Sequence, residues 1–70
     1  MTKKIIKLYT RRELEVLLEM NQGLTSNQIA EKLEISPLTV GTFRKRIMKK
    51  SDCHNVFDIL KYCRKNRIRA

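Results

Sequence analysis

Residues 43–50, FRKRIMKK, place five cations in eight positions, a density suited to lining up against the phosphates of a polyanion. Just ahead of them stand Leu38, Thr39 and Thr42. Hydroxyls can donate to or accept from base edges, and a leucine can touch a thymine methyl. The chemistry these types and spacings imply is recognition of nucleic acid. Catalysis has no comparable support, because the single histidine, His54, has no nucleophile-and-base arrangement around it and no glycine-rich phosphate loop occurs. Cys53, His54 and Cys63 are three candidate metal ligands at spacings unsuited to a closed four-ligand zinc site. They read as two packed thiols and an exposed imidazole, and neither a metal nor another cofactor is expected. Tyr9 and Tyr62 could stack on single-stranded bases, but they stand far from the basic segment and read as cover for the core.

Those cations need a scaffold, and the composition bounds what it can be. Seventy residues make one domain with a small core, burying only about 60% of its unfolded surface, too little for a deep catalytic pocket. Sixteen Lys and Arg against seven Asp and Glu give a formal charge of +9 and a pI near 10.1. An anionic partner follows, either nucleic acid or an acidic membrane surface. No apolar run approaches the ~20 residues of a membrane span, and MTKKIIKLYT is too short in its apolar part for a secretory signal. The expected location is the cytoplasm, where two cysteines remain free thiols.

Helix starts punctuate the chain. Thr10 followed by Glu13 is a capping box, with Tyr9 and Leu14 placed as a hydrophobic staple, so a helix begins at Arg11 and buries Leu14, Val16, Leu17, Leu18 and Met20 before stopping at Asn21-Gln22-Gly23. Thr25 and Gln28 repeat the box for a second helix over about 26–33 that buries Ile29, Ala30 and Leu33. Ser36 is a good N-cap and Pro37 suits the first helical position, so a third helix runs from 37 to 50. Two short helices joined by a tight turn, the first buried and the second basic, describe a helix-turn-helix unit. A fourth helix is expected over about 56–65, with Asn55 as its cap and Asn66 as its terminator. The fold class is all-α, a compact four-helix domain over residues 10–70 preceded by an arm or linker over 1–9.

On a wheel at 100° per residue, Val40, Phe43 and Ile47 form the core stripe of the third helix. Leu38, Thr42, Lys45 and Lys49 lie opposite, with Thr39, Arg46 and Lys50 along one flank and Gly41, Arg44 and Met48 along the other. A solvated charged face is the competing reading. It sits poorly with the absence of any Asp or Glu from 35 to 51. In the fourth helix Val56, Ile59 and Cys63 can face the core while Phe57 and Leu60 lean to another side. That excess suggests a dimer contact, the alternative being that all five pack one small core.

TRRELEVL followed by GLTSNQIAEKLEISPLTV resembles the LuxR-type (GerE-like) helix-turn-helix domain. The matching positions are Thr10, Arg12, Glu13, Glu15, Val16 and Leu17, then Gly23, Ile29, Ala30, Leu33, Ile35, Ser36, Thr39, Val40, Ile47 and Lys50. The resemblance implies a bacterial transcription regulator with the third helix in the major groove and the fourth making a dimer. Departures fall at working positions: Gly41 replaces a DNA-contacting lysine, Phe43 a common histidine, and Lys50-Ser51-Asp52-Cys53 the usual lysine-leucine-glycine-valine. Position therefore carries over and base preference does not.

The residues expected at base edges are Leu38, Thr39, Thr42 and Lys45. Those expected on phosphates are Thr25, Ser26 and Asn27 at a helix N-terminus together with Arg44, Arg46, Lys49 and Lys50. Phe57, Leu60 and Arg64 are expected at a homodimer contact. The partner is double-stranded DNA, with RNA polymerase a further candidate. The alternative function is a protein-interaction module that docks RNA polymerase or an acidic regulatory partner through the same basic face.

Overall fold

A computed structural model describes residues 7–68. Among them the chain is all-α, with helices α1 (Arg11–Asn21), α2 (Ser26–Leu33), α3 (Pro37–Ser51) and α4 (Val56–Lys65). Residues 1–6 of the expected arm, and 69–70 at the other end, lie outside the described residues. Tyr9, on the arm side of the expected boundary at residue 10, is only 5% exposed and packs with the core.

Every start is a side-chain cap. Thr10 Oγ1 accepts from the Glu13 N–H at 3.2 Å while Glu13 Oε1 accepts from the Thr10 N–H at 2.9 Å. Thr25 and Gln28 repeat this at 3.2 and 2.8 Å. Ser36 Oγ accepts from the Thr39 N–H at 3.1 Å with Pro37 behind it, and Asn55 Oδ1 accepts from the Asp58 N–H at 2.9 Å.

The stops share one device as well. Beyond each helix a residue enters the left-handed region and the next amide reaches back five residues: Leu24 to the Glu19 carbonyl (3.3 Å), Ile35 to Ala30 (3.0 Å), Cys53 to Met48 (2.9 Å) and Ile68 to Cys63 (2.8 Å). These are Schellman closures, and the residue making the long bond is apolar each time and packs on the core. The left-handed residues are Gly23, Glu34, Asp52 and Arg67. Before the last of them Asn66 is the C-cap, as expected of the terminator, at φ −99°, and Arg67 makes the left-handed turn that seats Ile68. A side chain bearing Cβ in this region is disfavoured by roughly 1 kcal/mol or more. Glu34→Gly is therefore expected to stabilise the domain by about 0.5 kcal/mol, once the extra freedom of glycine in the unfolded chain is counted. The measurement is a urea midpoint that rises while the m-value stays constant.

Helices α1 and α2 both pack on α3, and α4 closes against α1. Val16, Leu17, Met20, Ile29, Val40, Ile47, Ile59 and Ile68 are essentially inaccessible, with Leu14, Leu18, Leu33 and Phe43 half-buried around them. Val56 departs from its expected core place and is 38% exposed. As the first residue of α4 it projects past the helix end, beyond the surface that Ile59 and Cys63 cover. Burial pushes the Cys63 thiol up to about 11, with a smaller contribution from nearby Cys53, so it stays protonated and unreactive at neutral pH.

Candidate nucleic-acid interface

The cap on Ser36 and the proline behind it start α3 at a bend from α2, and the buried Val40 and Ile47 fix which side of α3 faces inward. The opposite side holds Leu38, Thr42, Lys45 and Lys49, with Thr39 and Arg46 on one flank, all exposed and Leu38 at 86%. An apolar side chain that open has no packing role inside the domain. Thr42 Oγ1 donates to the Leu38 carbonyl at 3.2 Å, which leaves its lone pairs free to accept, and the Thr39 and Ser36 hydroxyls lie 2.8 Å apart. Among the described residues no carboxylate pairs with Arg44, Lys45, Arg46 or Lys49. Their charge is uncompensated over nearly two turns of helix, while the Arg46 guanidinium rests 6.0 Å from the centre of the Phe43 ring.

Arg44 leans the other way. Its Nη1 donates to Ser26 Oγ at 2.7 Å, joining the flank of α3 to the first residue of α2. Within the described residues the N–H groups of Ser26 and Asn27 have no backbone or side-chain acceptor, whereas those of Gln28 and Ile29 are taken by Thr25. Two free amides, the positive end of the α2 dipole and a guanidinium thus converge at one corner of the basic face. The sequence placed these residues in one class, and the structure brings Ser26 and Arg44 into contact.

Lys50 is placed elsewhere. Its Nζ lies 2.5 Å from Glu13 Oε1, the same oxygen that accepts from the Thr10 N–H, and 5.9 Å from the centre of the Tyr9 ring. Glu13 is the buried charged residue of the described chain at 1% exposure, and its partner's side chain is about one-third exposed. A phosphate contact from Lys50 would have to break this pair. Burial by itself raises the Glu13 carboxyl, but the Lys50 ammonium and the Thr10 cap outweigh it, so the group sits below its ordinary value. A depressed folded value means that the stabilisation is complete above the unfolded carboxylate pKa of about 4.3 and disappears as pH falls through the folded value. Below pH ~4 the stability of the natural chain should fall towards that of Glu13→Gln, which lacks this titration. Chemical denaturation of both at pH 7 and pH 3 measures the convergence.

On α4, Phe57 is 72% exposed, Leu60 is 36% exposed and Arg64 is exposed. Leu60 and Arg64 border an open groove completed by Asn21, Cys63, Arg67 and Ile68. His54 is exposed, Cys53 half-buried and Cys63 buried. Tyr9 and Tyr62 join their hydroxyls at 2.8 Å against the core, on the side where Lys50 meets Glu13. Among the described residues no helix is long and apolar enough to cross a membrane.

Four helices with a capped turn between α2 and α3, and a protruding cationic α3, define a helix-turn-helix domain. Residues 7–63 match the family model GerE, described as bacterial regulatory proteins of the luxR family, and the chain belongs to that family. It is 34% identical over 59 residues to the DNA-binding transcriptional activator EvgA of Escherichia coli (strain K12), covering 84% of this chain and 29% of EvgA. It is 47% identical over 47 residues to the uncharacterized transcriptional regulatory protein YxjL of Bacillus subtilis (strain 168), covering 67% of this chain and 22% of YxjL. The uncharacterized response regulatory protein YgeK of Escherichia coli (strain K12) is 42% identical over 52 residues, 74% of this chain and 35% of YgeK. The chain thus spans about a third or less of the length of these relatives. No solved structure matches it.

Proposed function

We propose that this domain binds duplex DNA sequence-specifically as the output unit of a bacterial transcription regulator, with α3 in the major groove. The observation that carries the reading is the outer face of α3, where Leu38, Thr42 and Lys45 stand free above an uncompensated row of cations. Membership in the luxR family supports it, as does the name of the relative EvgA. Leu38, Thr39, Thr42 and Lys45 meet base edges. Arg44, Arg46 and Lys49 meet phosphates together with Thr25, Ser26 and Asn27. The domain works in the cytoplasm, without a cofactor and without enzymatic activity. A mobility-shift assay on mixed duplexes at low salt tests the reading. A retarded band that resolves into a preferred sequence on selection from a random library is the expected result. No band at any salt concentration would favour the alternative, a module that docks RNA polymerase or an acidic regulatory partner.

The domain acts as a homodimer through α4, with Phe57, Leu60 and Arg64 at the contact and half-sites about one helical turn, ~34 Å, apart. The exposed Phe57 and Leu60 support this assignment. Leu60→Asp is expected to keep the fold, halve the sedimenting mass on DNA and remove the gain in affinity from a second half-site. Unchanged mass and affinity would move the contact away from α4.

A further inference from the structure

We propose that Lys50 and Glu13 are positioning residues for DNA recognition, their ion pair fixing the direction in which α3 projects from the core and hence which base pairs its outer face meets. The proposal rests on the DNA-binding reading above and withdraws Lys50 from the phosphate contacts. Two buried aliphatic residues, Val40 and Ile47, seat α3 on the core with Phe43 half-buried between them. Such apolar contacts are non-directional and do not by themselves fix the direction of the helix axis. The residues proposed to read bases begin at the N-terminal end of α3, whereas Lys50 sits in its last turn. Twelve residues separate Leu38 from Lys50, roughly 18 Å along the axis, so a small displacement at one end is carried to the other.

What holds that far end is polar and directional. The Lys50 ammonium meets an oxygen that is 2.9 Å from the Thr10 N–H, so the same acceptor both caps α1 and grips α3. The ammonium also lies 5.9 Å from the Tyr9 ring, whose hydroxyl donates to Tyr62 on α4 at 2.8 Å. Three helices are thus referred to one corner. A lysine used on phosphate would instead point to solvent with its neighbours Lys45 and Lys49, and the deeply buried carboxylate would be left without its counter-charge.

The test is a double-mutant cycle over Glu13→Gln and Lys50→Met, read as affinity for a selected duplex and for random duplex across a salt series, each variant checked as folded by circular dichroism. Gln keeps an oxygen for the Thr10 N–H and preserves the α1 cap. The expected result is that either single change lowers the preference for the selected duplex about tenfold, the scale of one lost base contact. The double variant should lose no more than either single, and the slope of log affinity against log salt should match that of the natural chain. If Lys50→Met lowers that slope by about 1 while Glu13→Gln binds normally, Lys50 is a phosphate contact and the proposal is overturned. Unchanged preference in folded single variants overturns it too. Should Lys50→Met alone fail to fold with an unpaired Glu13, the double variant, in which no buried charge remains, decides, and natural preference there overturns it. Failure of the natural chain to bind any duplex would strike the DNA-binding reading itself, which separates the two.

Discussion

Truncating Ile47 to alanine is expected to destabilise the domain by about 3 kcal/mol, within the ~2–5 kcal/mol typical of large-to-small changes at inaccessible aliphatic positions. Ile47 is fully buried on the inner side of α3, where α1 and α2 both pack. A domain of 70 residues holds only roughly 4–10 kcal/mol in all, so this one side chain represents a large share. Urea denaturation followed by far-UV circular dichroism gives the number. Leu38→Ala on the opposite side is the matched control, expected within about 0.5 kcal/mol of the natural chain because Leu38 packs on nothing. If the two variants were equally stable, the inner and outer sides of α3 would have been assigned the wrong way round.

Lys45→Ala and Arg46→Ala remove the same charge from adjacent positions and should fail differently. Lys45 points away from the buried Val40 and Ile47 and is exposed, so its amine can reach a guanine edge. Its loss should relax preference at one base pair and weaken the preferred site by about 1–3 kcal/mol, with random duplex little affected. Arg46 lies on the flank with its guanidinium near the Phe43 ring. Its loss should weaken preferred and random duplex alike and lower the salt slope by about 1. Affinities on matched and scrambled duplexes across a salt series distinguish them. The opposite pattern would exchange the two roles and rotate α3 in the groove.

Most of the scaffold was legible because its signals are local. The pairs Thr10/Glu13 and Thr25/Gln28, the Ser36-Pro37 dipeptide and Asn55 each announce a start within four residues, and all four helices begin where those caps put them. What escaped was tertiary. Val56 fits the inner stripe of α4 by spacing, yet the stripe ends before the helix does. Arg67 looks a poor left-handed residue beside Asn66, and only the core site that receives Ile68 decides between them. The burial of Glu13 did leave a trace, since 13, 16, 17 and 20 fall on one side of α1 at helical spacing. A carboxylate in that stripe demands a cation, but nothing local says which of sixteen supplies it. Lys50, thirty-seven residues on, could be found only in three dimensions.

The repeated closure at the helix ends also sets how this domain can change length. At each joint the residue that makes the long backbone bond is the one that plugs the core, so Leu24, Ile35 and Cys53 measure the spacing from helix to helix, and Ile68 closes the last helix in the same way. Inserting or deleting one residue between a helix end and its plug would pull the plug out of register and open a void, even at positions such as Glu34 or Asp52 that solvent reaches freely. Surface loops ordinarily absorb insertions at little cost. Here the joints should be as intolerant of indels as the helices they connect.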